Sequence, residues 1–215
     1  MQVKELAGAI AAIQRTMVSN KDYLIELDQQ NGDGDLGISM AQGYSAIASY
    51  LSTTDEEDIG RALLKCSSLF NEAAPSTLGT ITSFGFMGMA KALKGKREAR
   101  LSEWADALDA GLKLIMDRAK SKAGDKTILD ALIPGVEALK ENAAKGKVEA
   151  LAFASAAAAQ GSEATRAMKS IHGRAAYYGD KSIGIIDGGS VVGRLIFESL
   201  AAWALASNAS EKGVN

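Results

Sequence analysis

The chain has 215 residues, of which 47% are hydrophobic and 23% charged, as expected for one globular domain with a buried core, here residues 1–215. A formal net charge of −2 gives no support for a nucleic-acid or acidic-membrane partner. The single cysteine, Cys66, excludes an internal disulfide framework, and there is neither a signal-like N-terminus nor a run of 18 apolar residues, so we expect a cytoplasmic protein without a membrane partner.

Apolar residues recur at helical spacing along most of the chain, and this pattern predicts eight amphipathic helices. The predicted helices cover residues 3–19, 38–51, 55–71, 79–93, 102–115, 129–139, 147–169 and 190–207. Thr54 and Glu57 form a capping-box pattern that starts the third helix, and Cys66 lies on the apolar face of that helix as a buried thiol. Only Tyr23–Leu27 alternates, weakly, as a strand would. The sequence therefore predicts an all-α protein.

Eight helices with mostly short connections predict an antiparallel up-and-down bundle or closed barrel. In that topology alternate connections lie at the same end. The segments 20–37, 71–79, 120–126 and 170–189 should therefore share one rim, while the connections at the opposite end are plain polar turns. All of the unusual side-chain chemistry falls in the four segments of this rim.

The first rim segment is strongly acidic. Asp28, Asp33 and Asp35 lie close together without a Lys or Arg among them, so they repel one another unless a cation lies between them. Gly32 and Gly34 allow the backbone to turn all three carboxylates toward one point. Because Mg²⁺ is often shared between carboxylates and substrate phosphates, we predict a Mg²⁺ site that holds a nucleotide.

Three alternative interpretations compete for this acidic segment. An EF-hand loop requires Gly at its sixth position and Glu at its twelfth. Counted from Asn31, these positions hold Leu36 and Gln42, so an EF-hand is excluded. A dinucleotide-binding G-x-G-x-x-G motif is disfavoured, because aspartates fill its intervening positions and no repeating βαβ pattern follows. A solvated turn that caps the next helix through Asp35 or Ser39 stays open.

The next two rim segments each precede a predicted helix. The N-terminus of a helix offers free N–H groups to an anion, so Thr77 and Gly79 are candidates for contact with a phosphate, although an ordinary helix cap fits equally well. Ile128 and the aliphatic stem of Lys126 are candidates to flank a nucleobase, with a plain turn as the alternative.

The fourth rim segment is long for a helical bundle, and long ordered loops are commonly functional. Arg174 is the natural phosphate clamp, because a guanidinium group matches phosphate oxygens in pairs. Asp187 is either a helix cap or an acceptor for a ribose hydroxyl. His172, without a visible Ser, Cys or carboxylate partner, is interpreted as a surface or packing residue rather than a catalytic one.

Three spaced motifs in these segments resemble one family, the nucleotide-binding L subunit or L domain of dihydroxyacetone kinases. The family pattern L-D-x-x-I-G-D-x-D-H-G is matched by L-D-Q-Q-N-G-D-G-D-L-G from Leu27. G-[DE]-K-T-M is matched by G-D-K-T-I from Gly124, and G-R-A-S-Y-L-G-E-R-S-I-G-H-x-D-P-G by G-R-A-A-Y-Y-G-D-K-S-I-G-I-I-D-G-G from Gly173. The resemblance spans nearly the whole chain.

The resemblance implies an eight-helix barrel that holds ADP or ATP at one rim through two Mg²⁺ ions on Asp28, Asp33 and Asp35. The implied nucleotide contacts, taken with the segments above, are Leu36, Gly37, Ser39, Thr77, Leu78, Gly79, Ile128, Arg174, Asp187, Gly188 and Gly189. The chain departs from the family at its two motif histidines, which are Leu36 and Ile185 here. Its glycine-rich phosphate loop is also changed, to the segment 75–79, which keeps only the final glycine.

The implied activity is transfer of a phosphoryl group to dihydroxyacetone or a related small ketose, with Arg174 stabilising charge on the transferring group. In the family the ketone is held covalently by a histidine of a separate K subunit, so a hetero-oligomer is expected. A phosphotransferase-system protein is a possible phosphoryl donor. The alternatives are a paralogue that acts on another sugar and a non-catalytic nucleotide sensor.

Overall fold

The structure is a computed structural model that describes the backbone of residues 1–212 and the side chains of residues 1–209. These residues form nine α-helices and no strand, which confirms the all-α prediction. The helices are α1 (Val3–Ser19), α2 (Lys21–Asp28), α3 (Leu36–Thr53), α4 (Ile59–Ala73), α5 (Thr77–Ala92), α6 (Leu101–Ala119), α7 (Leu129–Asn142), α8 (Lys147–Ala164) and α9 (Gly188–Lys212). Short 3₁₀ segments cover Ala143–Lys145, Thr165–Ala167 and Arg174–Ser182.

The eight long helices form a closed ring. From α3 to α9 each helix packs against the next one in the chain, α9 packs against α1, and α1 packs against α3. The short helix α2 lies mainly against α3. The eight long helices therefore form the wall of the ring, and the apolar face of each helix is directed toward the shared interior.

Large side chains line that interior, around an apolar cavity of about 160 Å³. Phe70 is fully buried and meets the ring of Tyr44 edge to face, with 5.0 Å between the ring centroids. A Cβ atom added to Gly43 would lie 2.5 Å from the Phe70 ring, so glycine is required there for α3 to approach α4. Cys66 is also fully buried, and burial raises the pKa of its thiol to about 12. The prediction of a buried cysteine is confirmed.

The prediction of eight helices missed α2. This helix occupies the only segment that was expected to alternate as a strand, Tyr23–Leu27. It has eight residues, with Leu24 and Leu27 buried on one side. Positions three residues apart share a face of a helix but lie on opposite faces of a strand, so the burial of Leu24 and Leu27 fits the helix. In the sequence, the run Tyr23–Leu27 is too short and too apolar to show which of its positions are buried.

The predicted start of the third helix was also wrong. The corresponding helix, α4, begins at Ile59 rather than at residue 55. The side chain of Asp58 accepts a hydrogen bond from the backbone N–H of Arg61 (3.1 Å), and Glu56 accepts one from Asp58 N–H (2.8 Å). These carboxylates favour a turn over residues 54–58, and Asp58 takes the cap position that the pattern assigned to Thr54.

The last helix is long and apolar enough to cross a membrane by length and composition, over Gly188–Ala209. In the structure, Val191, Val192 and Phe197 of this helix are completely or almost completely buried in the core of the ring. The same apolar character is therefore accounted for by the packing of α9 against α1, α7 and α8.

Candidate active site

One open cleft of about 610 Å³ lies among the four predicted rim segments. The connection after α2, the start of α5, the connection between α6 and α7, and the segment before α9 all contribute to its lining. The residues predicted from the sequence that line this cleft are Asp28, Asp33, Asp35, Leu36, Thr77, Leu78, Ile128, Arg174, Asp187, Gly188 and Gly189. Gly37, Ser39 and Gly79 are not among its lining residues.

The three aspartates converge at one side of the cleft. One carboxylate oxygen from each of Asp28, Asp33 and Asp35 lies within 4.8 Å of the others. Asp28 ends α2, and its Oδ2 accepts hydrogen bonds from the N–H groups of Gly34 (2.7 Å) and Asp35 (3.1 Å), which folds the connection back over the helix end. A Cβ atom on Gly32 would lie 2.1 Å from Asp28 Oδ1, so the predicted need for glycine at this position is met.

The electrostatics of this triad fit a cation. The pKa of Asp35 is raised by burial and by the neighbouring charges of Asp33 and Asp28, while Arg174 acts in the opposite direction. Arg174 also pairs with Asp33, at 2.8 Å between Nη2 and Oδ2. One guanidinium group does not balance three carboxylates. An all-oxygen set at this spacing suits a hard divalent cation such as Mg²⁺.

The segment that carries Arg174 is anchored by a buried lysine. Lys126 is 3% exposed, and its ammonium donates hydrogen bonds to three main-chain carbonyls. The acceptors are Met168 O (3.1 Å), Ser182 O (2.6 Å) and Ile185 O (2.6 Å). Burial lowers the pKa of this lysine, whereas the nearby charge of Asp187 raises it. Lys126 therefore has a structural role, and because it also lines the cleft, the position of its stem beside a nucleobase stays a prediction.

Replacing Lys126 with Met should loosen this segment. The variant removes the donor to three carbonyls and should cost about 1–3 kcal/mol of unfolding free energy, measured by denaturant unfolding. Trypsin should then cleave faster after Arg174 and Lys181, because both lie in the released segment. Lys122→Met, an exposed change in the same connection, is the matched control. Unchanged stability and cleavage in Lys126→Met would contradict this anchoring role.

The connection between α6 and α7 is held by two further carboxylates that the sequence analysis missed. Asp130 accepts hydrogen bonds from the N–H groups of Gly124 (2.6 Å) and Thr127 (2.7 Å). Asp125 accepts one from Lys122 N–H (2.9 Å) and pairs with His172 Nε2 (2.9 Å). The interpretation of His172 as a residue without a carboxylate partner was wrong, because its partner lies 47 positions earlier in the chain.

Asp187 caps α9. Its Oδ2 accepts a hydrogen bond from Ser190 N–H (2.6 Å), and its own N–H donates to Thr165 Oγ1 (3.0 Å). Burial raises the pKa of Asp187 to about 7, although the Ser190 N–H lowers it. Of the two roles considered for this residue, the structure shows the helix cap, and Asp187 also lines the cleft together with Gly188 and Gly189.

The start of α5 has an ordinary cap. Ser76 Oγ accepts a hydrogen bond from Gly79 N–H (3.1 Å), so this N–H group is already occupied. A Cβ atom on Gly79 would lie 1.9 Å from Ala74 O, which explains the glycine by packing. Of the three contacts predicted in this segment, Thr77 and Leu78, the first two residues of α5, line the cleft.

Two predicted residues lie behind the cleft in the first turn of α3. Gly37 is buried, and a Cβ atom there would lie 2.1 Å from Lys21 O, so it allows α2 and α3 to pack closely. Ser39 is buried, and its N–H donates to Asp35 O (2.9 Å) as part of the helix. Leu36 belongs to the buried core and is also one of the residues that line the cleft.

A protein-family model described as the DAK2 domain matches residues 30–202, which is most of the chain. The chain belongs to the DAK2 domain family. This confirms the resemblance seen in the three motifs.

Relatives of known name agree with membership of the DAK2 family. The chain is 29% identical over 185 residues to the ADP-binding subunit DhaL of the PEP-dependent dihydroxyacetone kinase of Escherichia coli, covering 85% of this chain and 88% of the relative. It is 32% identical to the corresponding subunit of dihydroxyacetone kinase 1 of Listeria innocua, covering 84% and 86%.

A solved structure shows the same DAK2 fold. The dihydroxyacetone kinase of C. freundii, in complex with AMP-PNP and Mg²⁺, superposes with a TM-score of 0.74 at 24% identity. The match covers 91% of this chain and 33% of that one, so this chain spans about a third of the C. freundii enzyme.

Proposed function

We propose that this chain is the nucleotide-binding subunit of a dihydroxyacetone-kinase-type phosphotransferase, which acts on dihydroxyacetone or a related small ketose. The observation that carries the proposal is the convergence of three aspartates and Arg174 on one cleft in a DAK2-family chain. The names of the Escherichia coli and Listeria innocua relatives, both ADP-binding subunits of such kinases, support it.

In the proposed site Asp28, Asp33 and Asp35 hold Mg²⁺, and the cleft beside them receives ADP or ATP. Bound Mg²⁺ would bridge the carboxylates to the phosphates and neutralise phosphate charge. Arg174 lies next to Asp33 and lines the same cleft, and its guanidinium group would stabilise the charge that develops on a transferring phosphoryl group bound there. The eight-helix up-and-down barrel is the frame that keeps these groups at one rim.

The remaining contacts surround the nucleotide. Thr77 offers a hydroxyl at the start of α5, in the segment where this chain lacks the family's glycine-rich loop. Ile128 provides an apolar wall, and Asp187, Gly188 and Gly189 line the cleft beside it, since a Cβ atom on Gly189 would lie 3.2 Å from Ile128 N.

The acceptor is expected to come from a second protein. Cys66, the one thiol of the chain, is buried in the core, so it offers the cleft no nucleophile. We propose a K-type partner subunit that holds the ketose, in a cytoplasmic hetero-oligomer in which residues 1–215 form one nucleotide-binding domain. Both relatives are called PEP-dependent, which supports a phosphotransferase-system protein as phosphoryl donor.

Mixing the chain with its K-type partner tests the proposal. The mixture should release ADP from Mg-ATP in a coupled assay with dihydroxyacetone or a related ketose, whereas the chain alone should not. If ADP is instead rephosphorylated in place, phosphoenolpyruvate and the phosphotransferase proteins should be needed, so both donor systems belong in the panel. No turnover with either donor, although size exclusion shows the complex, would contradict the kinase and favour a nucleotide sensor.

A further inference from the structure

His172 lies where the cleft meets a second hollow. The hollow, of about 430 Å³, adjoins the cleft, and both are lined by Thr77, Ile128 and His172. His172 is the only histidine of the chain. The proposed function gives it no role.

The ring of His172 is oriented by a buried carboxylate. Asp125 is 4% exposed and accepts hydrogen bonds from Lys122 N–H and from His172 Nε2. Burial raises the pKa of Asp125, but these hydrogen bonds outweigh burial, and its pKa lies below the usual value. The carboxylate therefore stays ionised and Nε2 is the donor. Within the described residues Nδ1 has no protein partner, and about a third of the side chain is exposed.

The two hollows differ in chemistry. The cleft contains the aspartate triad and Arg174, which suit phosphates and their cation. The adjoining hollow has apolar walls from Phe84, Ile115 and Leu129, and Arg118 lies over the Phe84 ring at 5.9 Å. These walls suit a flat heteroaromatic base. In a nucleotide that occupies both hollows, the sugar crosses the junction at His172.

We propose that His172, held by Asp125, binds the sugar of the nucleotide, with Nδ1 accepting a hydrogen bond from a ribose hydroxyl. The inference rests on the proposed function, because it requires a nucleotide in the cleft. It makes His172 a contact that favours nucleotides over bare phosphates. The competing role is a structural clasp that only ties the segment before Arg174 to the connection between α6 and α7.

Two conservative variants separate these roles. His172→Gln places an amide nitrogen near the former Nε2 and keeps the bond to Asp125, but has no group at Nδ1. His172→Asn places a polar atom near the former Nδ1 and loses Asp125. Calorimetry with Mg-ADP should show roughly tenfold weaker binding for His172→Gln, as expected for one lost hydrogen bond, and a smaller loss for His172→Asn.

Magnesium pyrophosphate, which lacks sugar and base, is the control ligand. Both variants should bind it like the unaltered protein. If His172 is only a structural clasp, the ranking should be reversed: His172→Gln should bind both ligands with unchanged affinity, and His172→Asn should bind both more weakly. That result would overturn the proposal. Equal loss of pyrophosphate and ADP binding in His172→Gln would also overturn it.

Because the chain has one histidine, ¹⁵N NMR reports this ring without ambiguity. Mg-ADP should shift the Nδ1 resonance and leave Nε2 near its unliganded position, and magnesium pyrophosphate should move neither. Saturation with Mg-ADP without a change at Nδ1 refutes the inference alone. Failure of the unaltered protein to bind Mg-ADP would refute the proposed function and this inference together.

Discussion

ADP should raise the unfolding temperature of this protein only when Mg²⁺ is present. Without the cation the nucleotide phosphates approach three carboxylates whose oxygens lie within 4.8 Å of one another. At a ligand concentration a hundredfold above the dissociation constant, binding should add about 2.7 kcal/mol to the unfolding free energy. For a chain of this length that corresponds to about 5–10 °C, which differential scanning calorimetry resolves easily.

The variant Asp33→Asn should abolish most of this shift. Asp33 is preferable to Asp28, because Asp28 also holds the turn through Gly34 N–H and Asp35 N–H. The variant should not destabilise the unliganded protein, since it relieves repulsion within the triad. Asp55→Asn, on an exposed residue outside the cleft, is the matched control. Equal stabilisation by ADP in EDTA and in Mg²⁺ would rule out a site in which the cation joins carboxylates to phosphate.

Replacing Arg174 with Ala should reduce turnover of the assembled kinase by about 10³–10⁵, the range for an arginine that neutralises a transferring phosphoryl group. Arg174→Lys should recover only part of the rate, because an ammonium group keeps the charge and loses the paired geometry. The measurement is the coupled assay with saturating Mg-ATP and ketose. Arg15→Ala, an exposed change on α1, is the control and should leave the rate unchanged.

This loss should not come from instability. The pair of Arg174 and Asp33 is solvent-exposed, with 68% and 39% of the two side chains accessible, and exposed pairs contribute about 0–1 kcal/mol. The unfolding temperature and the affinity for the partner subunit should therefore change little. A variant that loses assembly in proportion to turnover would show that Arg174 acts at the interface and not on the phosphoryl group.

The sequence predicted the long helices because each buries a stripe over several turns. The prediction failed where the segment is very short, and where side-chain hydrogen bonds decide the position of a helix start. The eight residues of α2 are too few to separate a helical period from a strand period. The start of α4 depends on Asp58 and Glu56, whose carboxylates capture nearby N–H groups and override the pattern at Thr54.

The site was predicted at the level of topology and motifs, and it was missed at the level of long-range hydrogen bonds. The acidic triad is local, so its spacing carries the information. Lys126 reaches acceptors 42 to 59 positions away, and Asp125 meets His172 across 47 positions. The local signals were two adjacent charged residues in a short connection, which is equally typical of a solvated turn, and the G-D-K-T-I motif, which does not reveal the distant partners.

The anchor formed by Lys126 has a consequence for how the sequence can vary. Within the described part of the chain, the Lys126 ammonium donates hydrogen bonds only to main-chain oxygens, at Met168, Ser182 and Ile185, and every residue type supplies such an oxygen. The side chain at position 185 can therefore change from the family's histidine to isoleucine without releasing the anchor. The side chains of this segment can therefore vary during evolution, while the hydrogen bonds from Lys126 continue to hold its main chain in place.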